Sequence, residues 1–322
     1  MRRAFVPVLM FTLATVWIGW QAAWAQNKAP QRALPPRWAD DIKSVFPDDA
    51  TKELKGTRPN FAAGAPAGGT TNVATSGGSG GTPAPAAGGT VAWSKIIEPD
   101  YVLAEIKSYQ QPVADDVKSL SEFKGGGYKK SRISYSMLGL MFGIIAEYDG
   151  DVRFKKDALG ARELFGRVSM NLKVSTDQAF NESKARAEDL ASLIRGDTIQ
   201  SPPNIDPKVK WQEKVANRPP LMTRLNTATE ERLNKAMSDA GAFAKSGDMV
   251  MHESQVIAAI SSAIQREGYG SADDDTYLQY ARDMQKSAME ISAAVKAKNY
   301  DGASKAFSAI KQKCDECHGA YR

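Results

Sequence analysis

From about residue 100 onward, apolar residues recur three and four positions apart, proline is sparse and β-branched runs are few. That is the pattern of amphipathic helices, and β structure has almost no support. The clearest stripe is Tyr277, Ala281, Met284, Ala288, Ile291 and Val295, a spacing that buries one helix face. A second runs through Ala303, Ala306, Phe307, Ile310, Cys314, Cys317, His318 and Tyr321, after a turn at Asn299-Tyr300-Asp301-Gly302. Leu225, Leu233, Met237, Ala240 and Phe243 mark an earlier helix. Val256, Ile257, Ile260 and Ile264 mark another, which stops at Gly268-Tyr269-Gly270. Ser271 followed by Asp274 predicts a helix-starting box.

The same four-helix order occurs once before. A shift of 120 residues brings Phe123 onto Phe243, Gly127 onto Gly247, Ile144 onto Ile264, Glu147 onto Glu267, Gly150 onto Gly270 and Ala161-Arg162 onto Ala281-Arg282. Apolar character carries over at Val113 and Leu233, Val117 and Met237, Leu164 and Met284, and Leu190 and Ile310. Because the glycine interruptions match as well as the stripes, we read an internal duplication. The pattern predicts an all-α chain of two tandem antiparallel four-helix bundles, residues 95–200 and 218–322. Ser201-Pro202-Pro203 and Arg218-Pro219-Pro220 bracket a polar connector over 201–217. Pro112 interrupts the first helix of the first copy, which begins afresh there.

The first 90 residues differ in kind. Basic Met1-Arg2-Arg3, an apolar run from Ala4 to Trp20 and then Ala23-Trp24-Ala25 form an export signal over 1–25, cleaved after Ala25, which predicts a periplasmic chain. The alternative is an uncleaved anchor, since the run approaches the length that spans a bilayer. Residues 26–60 are polar and proline-punctuated. With Trp38, Phe46 and the adjoining Phe61 they read either as an unstructured tail or as a docking peptide. Residues 61–90 have no charged residue and nine of the chain's 26 glycines, a flexible Gly/Ala/Pro linker. Removing Arg2 and Arg3 leaves 40 Lys+Arg against 37 Asp+Glu, too mild a balance for nucleic acid.

Two cysteines and two histidines among 322 residues exclude a disulfide framework or a four-cysteine zinc site. Cys314-Asp315-Glu316-Cys317-His318 has the spacing for covalent haem attachment, in which two thiols add to porphyrin vinyl groups and the neighbouring imidazole ligates iron. On a helix, offsets of 0, 3 and 4 share one face. That face, continued by Phe307, Ile310 and Tyr321, is expected to form a haem wall with His318 under the ring. A redox dithiol, a structural disulfide and half a zinc site each predict something the sequence lacks. The first copy has Ile194, Asp197 and Thr198 at the matching positions and no cysteine or histidine anywhere. His252 aligns with Arg132 and reads as a solvated helix-start residue rather than a ligand.

The final decapeptide, Lys313-Cys314-Asp315-Glu316-Cys317-His318-Gly319-Ala320-Tyr321-Arg322, resembles the end of cytochrome c prime and related class II cytochromes c. The resemblance covers 218–322, and extends to 95–200 only through the repeat. It implies an antiparallel four-helix bundle with one haem c per chain, His318 as proximal iron ligand, Cys314 and Cys317 as thioether anchors, and Arg322 near the proximal side. In the family a first-helix residue faces the other side of the iron. Here Met222 is the candidate ligand and Leu225 the candidate apolar cap, while Met222 reads equally well as a packing residue. A methionine ligand implies electron transfer with a redox partner protein; an apolar residue leaves five-coordinate iron open to NO or CO. A peroxidase-like enzyme is disfavoured because no acid–base group pairs with the iron, so no catalytic residue is expected. Families of this kind are often homodimers.

Overall fold

A computed structural model describes residues 91–321. The signal segment, residues 26–60, the linker and Arg322 lie outside the described residues. Among those described, all regular structure is helical. The main helices are α1 (Pro99–Ser108), α2 (Gln110–Asp116), α3 (Tyr128–Glu147), α4 (Ala158–Asn171), α5 (Asp177–Arg195), α6 (Arg218–Asn226), α7 (Gly247–Ala263), α8 (Asp275–Lys296) and α9 (Tyr300–Tyr321). The 120-residue shift lays α3 on α7, α4 on α8 and α5 on α9. Apolar pairs that coincide in sequence are both buried, as with Val113 and Leu233, or Leu190 and Ile310.

Helices α3 and α7 are buried on nearly every side, over Ser134–Ile145 and Glu253–Ile264, as central helices are. Around them α4 packs on α3, while α8 packs on both α7 and α9. The first helices tie the two sets together: α1 touches both α3 and α7, and α6 touches the same two. The contacts therefore join 95–200 and 218–321 in one body.

Both first helices are disturbed at corresponding places. In the first copy the chain breaks between α1 and α2 at Tyr109, with Pro112 inside the next turn. In the second, α6 widens into a π-helical segment, Thr227–Leu233, and continues over Asn234–Ala236. The helix expected from Leu225 to Phe243 is thus interrupted after Met237. Asp239 caps a new short helix, Ala240–Lys245, in which Ala240 is exposed and Phe243 buried.

Other boundaries also shift. Asp274, not Ser271, caps α8: its carboxylate accepts from the Thr276 and Tyr277 amides, while Ser271 takes a left-handed turn conformation. Asn299 caps α9 by accepting from the Gly302 amide, so Tyr300-Asp301-Gly302 are its first turn. The connector is not simply polar. Trp211, which opens the helical turn Trp211–Lys214, and the following Val215 and Ala216 enter the core. Trp211 stacks on Trp93 with ring centroids 5.9 Å apart. The Lys214–Val215 backbone lies so close to Gly139 and Gly166 that a side chain on either glycine would overlap a carbonyl oxygen. Glycine there admits the connector between α3 and α4.

Candidate functional site

The core stripe of α9 is buried at Ala303, Ala306, Phe307 and Ile310, half-buried at Cys314 and Cys317, and ends at half-buried Tyr321. Helix α9 continues unbroken through these positions, so both sulfurs share the face that packs on the bundle. His318 falls one position off the stripe and is exposed. The expected continuous wall therefore reaches Cys317, and the imidazole stands at its edge instead of inside it.

Helix α8 supplies the neighbours. Because α8 and α9 form a hairpin, counting outward equally from Asn299 sets Met284 opposite Cys314 and Tyr277 opposite Tyr321. Met284 Sδ lies 3.9 Å from Cys314 Sγ, and the Tyr277 and Tyr321 rings meet edge to face at 5.5 Å. Tyr280 also abuts Tyr321, at 6.4 Å. Helix α6 provides another flank: Arg218 donates to the Gly270 carbonyl at 2.8 Å and lies over the Tyr277 ring. Further along, Glu230 pairs with Lys311 at 3.5 Å. Of the two first-helix candidates, Leu225 is buried and Met222 is half-buried against the core.

Both sulfurs are free thiols. Burial pushes the Cys314 thiol up to about 11, with nearby Asp315 adding to it. Burial also raises Cys317, against the opposing charge of Arg218. Both are therefore protonated at neutral pH, unlike the thiolate of a reactive redox dithiol. Among the described residues no three His, Cys, Asp or Glu side chains converge on a metal-sized site. Two protonated thiols one helical turn apart, followed by an exposed imidazole, are a donor set chemically compatible with a covalently held haem.

A second cluster escaped the sequence reading. Arg224 of α6 binds two buried carboxylates at once: Glu105 of α1 through Nε and Nη2 at 2.8 and 3.0 Å, and Glu253 of α7 through Nη1 and Nη2 at 2.7 and 3.1 Å. Arg232 also pairs with Glu253, and the Tyr109 hydroxyl donates to Glu105 at 2.7 Å. His252 belongs to this group, correcting its reading as a solvated residue. Its side chain is 15% exposed and stands 3.1 Å from Glu105 and 3.4 Å from Glu253. The Nε2 contact is poorly aligned for a hydrogen bond, so charge is the main attraction. Burial would lower its pKa, but the two carboxylates outweigh that and raise it to about 9. Burial likewise works against ionised Glu105 and Glu253. The surrounding cations hold Glu105 well below the usual carboxylate range and Glu253 down to about 2.

No local pattern reveals this cluster, because Glu105 and Arg224 are far apart in the chain. Arg322 lies outside the described residues. Comparison of the chain with protein-family models, with curated proteins and with solved structures yields no match.

Proposed function

We propose that the chain is an exported, periplasmic mono-haem c-type cytochrome of the class II, cytochrome c prime-like kind, built from two fused four-helix copies. Only the second copy carries haem c, and it serves one-electron transfer to a redox partner protein. The observation that carries this reading is the pair of half-buried free thiols at Cys314 and Cys317, followed by the exposed His318 imidazole on the terminal helix.

Cys314 and Cys317 would hold the haem, each thiol adding its sulfur to one carbon of a vinyl group and its hydrogen to the other, and His318 would offer a neutral ring nitrogen to the iron. The bound haem supplies a one-electron iron couple. Met284 packs beside the Cys314 sulfur and the Tyr277–Tyr321 ring pair closes the end of the same hairpin, while Met222 and Leu225 would offer a thioether or an apolar cap from α6. The burial of Leu225 favours a second reading, in which the open side of the iron takes NO or CO.

The test is production in a host that attaches haem c. The expected product has the mass of the processed chain plus one haem, keeps its haem stain after denaturation and shows a Soret band. A product with the mass of the bare polypeptide overturns the proposal. Spectra of the reduced protein with and without CO then separate the two readings: a CO-insensitive parent and an altered Met222→Ala variant assign the sixth position to Met222.

A further inference from the structure

The buried charges around Arg224 give the cysteine-free copy a task, and this inference rests on the haem reading above. We propose that Glu105 is a positioning residue. Through Arg224 it holds in place the stretch of α6 bearing Met222 and Leu225, which flanks the cysteine-bearing end of α9.

The two helices run antiparallel. Arg218, at the start of α6, lies over the Tyr277 ring that abuts Tyr321 at the end of α9, and Glu230, beyond the end of α6, reaches Lys311 earlier in α9. Met222 and Leu225 fall between these contacts. Arg224 comes two residues after Met222, roughly 200° round the helix, so it grips α6 from behind that face. The grip spans both copies: Glu105 belongs to α1 of the first, and Glu253 to α7 of the second. Regular helical bonding does not continue the support, because α6 opens into the π-helical segment directly after Asn226. There the Thr229 hydroxyl donates to the Leu225 carbonyl at 3.1 Å. The bidentate ion pair with Glu105 anchors the preceding turn from the neighbouring copy.

The experiment uses the full chain in two forms. In the haem-free chain, the rate at which a thiol reagent modifies Cys314 and Cys317 reports how closely α6 covers α9. Glu105→Gln is expected to speed modification roughly tenfold with helix content unchanged, the scale of one lost charge-assisted contact. Leu138→Ala removes a buried side chain from the cysteine-free copy but none of the groups bonded to Arg224; it is expected to stay within about twofold of the parent. In the haem-loaded chain, Glu105→Gln is expected to alter the reduced spectrum if the parent is CO-insensitive, or to change its CO affinity by roughly tenfold if it binds CO, with Glu105→Asp restoring part of the difference. Should Glu105→Gln fail to fold, Glu105→Asp is compared with the parent in both assays. Equal acceleration by Glu105→Gln and Leu138→Ala, or thiol rates and haem spectra with and without CO that match the parent, overturns the positioning role and leaves the haem reading standing. A parent chain without covalent haem overturns both.

Discussion

The last helices of the two copies start alike and end differently. Both bury the same stripe, with Leu190 matching Ile310 in the core and half-buried Ile194 matching Cys314. Then α5 stops at Arg195: Gly196 takes a left-handed conformation, and its amide and that of Asp197 bond back to Ser192. Helix α9 runs on past that point to Tyr321. The residues matching Cys317 and His318, Asp197 and Thr198, therefore lie beyond the helix altogether. Packing constrains the inner turns of both helices in the same way. It leaves the last turn free either to close with a glycine cap or to extend and carry chemistry.

The comparison breaks most completely at the sulfurs. The double variant Cys314→Ala/Cys317→Ala, made in a haem-attaching host, is expected to lose all covalent haem by mass. The next effect lies in the other copy. Gly166→Ala pushes a methyl group into the Lys214 carbonyl and is expected to cost about 3 kcal/mol in chemical unfolding. The matching Lys286 is 78% exposed, and Lys286→Ala is expected to change stability by less than about 0.5 kcal/mol.

A third contrast is between His252 and its counterpart Arg132. The folded chain holds the His252 proton more tightly than the unfolded one. Its stabilisation is therefore complete below the ordinary value of 6.5 and is lost as pH rises through about 9. Unfolding free energy is expected to fall over that window by on the order of 3 kcal/mol, and the decline is expected to flatten in His252→Gln. The smallest effect sharpens the contrast between helix ends. Gly196→Ala places a side chain at a φ of 103° and is expected to cost about 1 kcal/mol; Glu316→Ala, at the matching position inside α9, is expected to change stability by less than about 0.5 kcal/mol.

Much of the fold was legible in the chain itself. The stripe from Tyr277 to Ile291 is buried as its spacing predicts, and Val295 is half-buried. The break near Pro112 and the glycine punctuation also fall where the sequence placed them. Three features were not legible. Asp274 rather than Ser271 caps α8, since two acceptable caps stood close together and backbone conformation chose between them. The connector looked polar because its buried residues, Trp211, Val215 and Ala216, are too few and too close together to show a period. His252 looked solvated because the carboxylates that surround it include one from the other copy.

The sequence alone determined the helices and the Cys314-Cys317-His318 spacing, since each depends on residues within a few turns of one another. Only the tertiary structure decided that the two copies interlock through α1 and α6, and that Glu105 meets Arg224 in the core. It also decided that His318 faces outward while both sulfurs face inward. Local periodicity fixes which face of a helix is apolar. What that face meets depends on chain-distant partners whose burial and charge must be satisfied together.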